Sequence, residues 1–154
     1  MLLTISPIPF FLNSTTGWIS TANGEVYRTN GSVNSWSKAT FAEPPTKNSF
    51  IPIFATDANT VYLGSIDGIY KSTDGGANFT KINSAIKSYF SDIVFVDATT
   101  GYICAGTKIF KTTDSGLTWN VVVTVANESI VELYFTDANH GWASGGKNIL
   151  TFKQ

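Results

Sequence analysis

The side chains in this chain that could do chemistry are few and scattered. His140 is the only histidine, Cys104 the only cysteine and Arg28 the only arginine. A hydrolase needs a nucleophile set beside a base that a third group orients. His140 instead sits in a polar turn, Asp137-Ala138-Asn139-His140-Gly141, with neither a serine elbow nor a second metal ligand in its motif. Cys104 lies in Gly101-Tyr102-Ile103-Cys104-Ala105-Gly106, which reads as a buried strand, so an inert core thiol is expected. A glycosidase needs two carboxylates about 5–9.5 Å apart across a cleft. Glu25, Glu43, Asp67, Asp92, Glu128 and Glu132 are the carboxylates outside evident turns. They show no paired spacing, and solvated surface is their expected role. Gly145-Gly146-Lys147 ends like a phosphate loop but lacks the preceding spacing and a following helix. No catalytic residue, metal site or cofactor is expected.

Composition narrows the partners. Charged residues are 14% of the 154 and the net charge is −1, so nothing marks a nucleic-acid or anionic-membrane footprint. No apolar run approaches the ~20 residues of a membrane helix. Residues 1–12 are apolar but carry no basic start or small-residue cleavage site and include Pro7 and Pro9, so they read as a strand rather than a secretion signal. An extracellular or periplasmic location is favoured if a leader lies outside this sequence. Asn13, Asn30, Asn78 and Asn127 match the glycan-acceptor pattern, which is read as an accident of a Ser/Thr/Asn-rich bacterial composition.

The elements that position these residues repeat about every forty positions, and such a period outranks any single motif. Aromatics recur at Trp18, Tyr62, Tyr102 and Trp142. Each of the first three is followed by a polar turn and a second aromatic: Arg28-Thr29-Asn30-Gly31-Ser32-Val33-Asn34-Ser35-Trp36, Lys71-Ser72-Thr73-Asp74-Gly75-Gly76-Ala77-Asn78-Phe79 and Lys111-Thr112-Thr113-Asp114-Ser115-Gly116-Leu117-Thr118-Trp119. Alternating β-branched and aromatic residues make each unit four short strands. Asp97-Ala98-Thr99-Thr100-Gly101 joins the first two strands of unit three, and its Gly is read as supplying φ > 0. Unit two has Val61 at that Gly position, and unit one has Asn13 at that Asp position. Residues 83–88 are the best helix candidate and are short enough to be a loop.

An all-β propeller of about four four-stranded antiparallel blades follows. Its units cover 6–41, 50–84, 89–125 and 129–154 of a single domain, 1–154. Unit four lacks a fourth strand and residues 1–5 fit no strand of unit one, so the N-terminal strand is expected to close the ring on blade four. A longer parent propeller and a homodimeric eight-bladed ring remain open.

The turns resemble Asp-box repeats, also called bacterial neuraminidase repeats, with the pattern Ser/Thr-x-Asp-x-Gly-x-Thr-Trp. Residues 112–119 match it with Asp114, Gly116, Thr118 and Trp119. Residues 72–79 match with Asp74 and Gly76 and carry Asn78 and Phe79 at the end, and residues 29–36 are degenerate, with Asn30 read as the Asp and Trp36 as the closing aromatic. The combined pattern most resembles propellers of photosystem II assembly factors and of secreted bacterial proteins. A sialidase, as the resemblance implies, needs an arginine triad, and Arg28 alone excludes it. A xyloglucanase-like enzyme would need a cleft between two propellers, and a photosystem role an arginine-rich patch. The box reads as a structural clamp in which the carboxylate accepts turn N–H groups, Gly takes positive φ and the aromatic packs beneath. Calcium is the alternative, but one carboxylate per turn falls short of 6–8 oxygens.

Binding is the class left: a non-catalytic scaffold for a protein or glycan, or else a fragment or relative of an Asp-box glycoside hydrolase lacking its own site. In a propeller the inter-blade connections and the turns between second and third strands share one face. That face offers Pro44, Pro45, Lys47, Asp67, Lys87, Tyr89, Glu128 and Lys147 as candidate binding residues.

Overall fold

The computed structural model describes residues 9–21, 23–31, 35–46, 52–147 and 149–153. These form strands and turns without a helix, in four sheets arranged as a four-bladed β-propeller. Blade 1 contains β1 (Phe10–Phe11), β2 (Thr16–Ser20), β3 (Val26–Asn30) and β4 (Ser37–Lys38). The chain then makes β5 (Thr40–Phe41) before the core strands of blade 2: β6 (Ile53–Ala55), β7 (Val61–Ser65), β8 (Gly68–Ser72) and β9 (Asn78–Asn83). Blade 3 is β10 (Phe90–Phe95), β11 (Gly101–Ala105), β12 (Lys108–Thr112) and β13 (Asn120–Thr124). Blade 4 is β14 (Ile130–Asp137), β15 (His140–Gly145) and β16 (Ile149–Lys153). The expected completion of blade 4 by residues 1–5 falls outside the described residues.

Sequence periodicity did not anticipate β5. It pairs in parallel with β9, giving blade 2 a fifth strand. Thr40 donates its N–H to Ala77 O at 2.9 Å, Ala42 donates to Phe79 O at 3.1 Å, and Phe41 stacks on Phe79 with ring centroids 5.2 Å apart. The connection leaving blade 1 thus covers the outer edge of blade 2. Residues 84–88 form a loop rather than a helix.

The core is a series of layers between blades. Trp18, Val26, Leu63, Tyr70 and Phe79 fill the first; Tyr62, Ile69, Ile93, Phe95 and Ile103 the second; Tyr102, Cys104, Ile109, Leu133 and Ala143 the third. Both faces of β7 and β11 are packed, so every residue in them is buried. Buried and exposed residues alternate in β15, which is packed on one face only. Blade packing runs 1–2, 2–3 and 3–4, and among the described residues nothing comparable joins blade 4 to blade 1.

The Gly after each first turn has a different cause from the one its position suggested. Gly17, Gly101 and Gly141 are not among the positive-φ residues. They lie directly across the ladder from Phe11, Phe95 and Phe135, and a Cβ on any of them would fall 2.4–2.7 Å from the facing ring. The Phe ring needs a flat floor. Blade 2 has Ala55 opposite Val61, so a small residue on one strand lets a side chain stand on the other.

Candidate functional site

Two sets of turns occupy the two ends of the blades. At one end the first turn of each blade is led by an Asx side chain. Asn13, Asp57, Asp97 and Asp137 each accept the N–H groups two and three residues on, at 2.7–3.0 Å. In the three Asp turns these bonds favour the carboxylate, and those from Thr100 and Thr99 hold Asp97 down at about 2.

The Asp74 and Asp114 turns dock beside them, with Gly75 N–H on Asn59 O and Ser115 N–H on Thr99 O. Asp74 Oδ1 accepts from Ser72 Oγ, Ala77 N–H and Asn78 N–H, and Oδ2 accepts from Asn78 Nδ2. Asp114 repeats this with Thr112 Oγ1, Thr118 N–H and Thr118 Oγ1. Bonds from Asn78 and from Thr118 hold the two carboxyls at about 2. Gly76 and Gly116 have φ of 84° and 88°, which a side chain resists. Among the described residues no three ligating side chains gather into a metal site.

The degenerate turn of blade 1 differs. The ladder sets Thr29 opposite Gly17 as it sets Thr112 opposite Gly101, so Asn30 stands level with Thr113, one residue before the position of Asp114. Thr29 Oγ1 and Ser35 Oγ meet directly at 3.3 Å. Of the closing aromatics, Phe79 is fully buried, while Trp36 and Trp119 are half-buried. Trp119 donates Nε1–H to Gly116 O at 2.9 Å and lies edge-on to Phe95.

Blade is also tied to blade at this end. Trp18 donates Nε1–H to Gly75 O at 2.9 Å, Tyr62 donates its hydroxyl to Ser115 O at 3.2 Å, and Tyr102 donates to Ala138 O at 3.2 Å. Phe95 and Phe135 stack on Tyr62 and Tyr102 with centroids 4.0 and 4.1 Å apart.

The opposite end carries the proposed binding residues. There each inter-blade connection lies against a second-to-third-strand turn: Pro45 beside Gly24, Asn83 beside Gly68, Ser129 beside Gly145, and Ile130 N–H on Gly106 O. Three open notches result, of about 550, 450 and 570 Å³. The first includes Pro44, Pro45 and Glu25, the second Lys87, Thr107 and Lys108, the third Asn127, Glu128 and Lys147. Pro44 and Tyr89 are exposed, Pro45 is buried, and Lys47 lies outside the described residues.

Three carboxylates depart from the expected solvated role, the first being Glu128, which accepts the Lys147 N–H. Asp67 accepts Thr46 N–H at 2.5 Å, which together with Lys81 and Lys87 lowers its pKa. Asp92 lies between blades 3 and 4, and burial raises it to about 6 although Ile93 and Leu133 each donate an N–H to it at 2.8 Å. Glu132 adds a small like-charge push. Each Asp92 oxygen is committed to main chain, which makes it a joint rather than an acid aimed at substrate. Glu25 pairs with Lys38 at 2.6 Å and Glu43 with Lys81 at 2.9 Å. Cys104 is buried, and desolvation pushes its thiol to about 12. His140 Nδ1 sits 2.9 Å from Asp137 in an exposed turn.

Among the described residues no helix is long and apolar enough to cross a membrane. No family model and no curated protein matches the sequence. The fold is similar to solved propellers of low identity. YCF48 from Cyanidioschyzon merolae matches with a TM-score of 0.74 and 16% identity over 99% of this chain and 52% of its own. YCF48 bound to D1 peptide matches at 0.60 and 16%, over 99% of this chain and 66% of its own. An ancestral GH74 enzyme matches at 0.72 and 14%, over 89% of this chain and 21% of its own. This chain therefore spans a fifth to two-thirds of the length of these proteins.

Proposed function

We infer that this chain is a non-catalytic binding propeller that takes a segment of a partner protein on the face formed by the inter-blade connections. The contributing residues are Pro44, Pro45, Lys47, Asp67, Lys87, Tyr89, Glu128 and Lys147. The observation that carries this reading is the recurrence of one notch per connection on that face. The Asp turns at the other end use their carboxylates within their own backbone, which leaves them a scaffold role. Exposed Tyr89 beside Lys87 supplies the aromatic and cationic character enriched at protein interfaces. The peptide seen on a YCF48 propeller supports a protein partner.

A glycan partner is the second reading. It is favoured by the likeness to part of a GH74 enzyme and by the Asp-box resemblance, and it would make this chain a relative of such an enzyme without its own catalytic pair.

Peptide and glycan arrays probed with wild type and with Lys87→Ala/Tyr89→Ala test both. Peptide binding that falls at least tenfold in the double variant is the expected result. Binding confined to glycans turns the reading to the second. Hydrolysis of any glycan overturns both, and undiminished peptide binding by the variant overturns the assigned face.

A further inference from the structure

Each blade presents one apolar face to the blade after it and another to the blade before. The forward-facing triplets are Phe10/Trp18/Val26, Phe54/Tyr62/Ile69 and Val94/Tyr102/Ile109; in each the first two residues are direct ladder partners and the third lies diagonally across, on the same face and two residues from the second's direct partner. All three are packed into the inter-blade layers. The fourth triplet, Tyr134/Trp142/Ile149, has the same register and, among the described residues, no blade against it. Trp142 is 40% exposed and Ile149 75%, whereas Tyr62 and Tyr102 are 0% exposed.

Blade 1 carries the other half of the same joint. Phe11, opposite Gly17, holds the position from which Phe95 and Phe135 stack on the preceding blade's tyrosine. Phe11 is 52% exposed, and its described ring neighbour is Trp36 of its own blade. Ile19 continues the face and is half-buried, although its counterparts Leu63 and Ile103 in blades 2 and 3 are fully buried. The molecule therefore displays both halves of a joint that it makes three times internally, and among the described residues the two halves do not meet.

We propose that blade 4 of one copy docks on blade 1 of a second copy, stacking Trp142 on Phe11 as Phe95 stacks on Tyr62. The occupant is argued from continuity: a second copy supplies the face that already follows blades 1, 2 and 3. Each copy has one forward and one backward face, so the contact is heterologous, and two copies close when both joints form at once. The joint is independent of the loop face proposed for partner binding.

Sedimentation velocity over a wide concentration series tests this with wild type, Phe11→Asp, Trp142→Arg and an equal mixture of the two variants. Both side chains are exposed, so circular dichroism should show each variant folded like wild type. Wild type is expected to self-associate, and each variant alone to lose the assembly, since both of its joints contain an altered face. The mixture should restore a pair, because one joint then has both native residues and the other sets Asp against Arg. A wild type that stays monomeric at every concentration overturns the proposal, and so does an assembly that both single variants retain. Failure of the mixture to re-associate, when wild type associates, overturns the head-to-tail arrangement.

Discussion

Gly101→Ala is the sharpest probe of how the blades are built. Gly101 does not have positive φ, so alanine there would by itself gain about 0.4–1 kcal/mol by restricting the unfolded chain. The facing ring reverses that sign. The new Cβ would sit 2.7, 2.8 and 2.9 Å from three atoms of Phe95, about 1 Å inside ordinary contact. Phe95 cannot swing away freely, because Tyr62 is stacked on it at 4.0 Å and Trp119 lies edge-on at 6.1 Å. Overpacking of a held ring costs roughly 2–3 kcal/mol, a fall of about 4–12 °C in melting temperature at this chain length. Urea melts of Gly101→Ala, with Gly31→Ala as control, measure it. The corresponding position at Gly31 meets no described atom closer than 3.9 Å, so the control should shift little. The second arm builds blade 2's solution into blade 3. Phe95→Ala alone should cost about 3–5 kcal/mol by emptying its volume. Adding Gly101→Val to it recreates the Ala55–Val61 pair and should cost no more than Phe95→Ala alone, a coupling of about 2 kcal/mol or more. Single-variant costs that add within about 0.5 kcal/mol, or a Gly101→Ala as stable as wild type, would refute the argument that the glycine exists for the ring.

Asp92, raised to about 6 from an ordinary value near 3.8, favours its protonated form in the folded state. Its contribution is therefore present below pH 4 and lost as pH rises through 6, by about 3 kcal/mol, and denaturant melts across that window should show this slope in wild type but not in Asp92→Asn. Asp74, Asp97 and Asp114 lie at about 2, so their contribution has the opposite sense, present above pH 4 and lost as pH falls toward 2. Asp74→Ala should cost about 1–2 kcal/mol near neutrality and blunt that acid transition, and calcium or chelator should leave the melting temperature unchanged; a calcium shift lost in the variant would favour a metal site. Cys104, buried with its thiol near 12, should react with a disulfide reagent only as fast as the protein unfolds, so labelling that outruns unfolding would show the third layer open.

The sequence alone determined what is local. The forty-residue period, the strands with alternating burial and the Asx-led turns are set by backbone hydrogen bonding and side chains a few residues apart, and Asp57, Asp97 and Asp137 bond within three residues of themselves. The Asp74 and Asp114 clamps are equally short-range. Tertiary structure decided everything that depends on which strand or blade lies opposite. Gly101 reads as a turn residue until the ladder sets it across from Phe95, six positions earlier. Asp92 reads as surface until Leu133, forty-one positions on, donates an N–H to it. Tyr62 and Trp142 hold the same place in the repeat, yet one is fully buried and the other half open. The repeat specifies a face, but burial is a property of two surfaces, and the second surface belongs to a neighbouring blade about forty residues away, which for Trp142 is not found among the described residues.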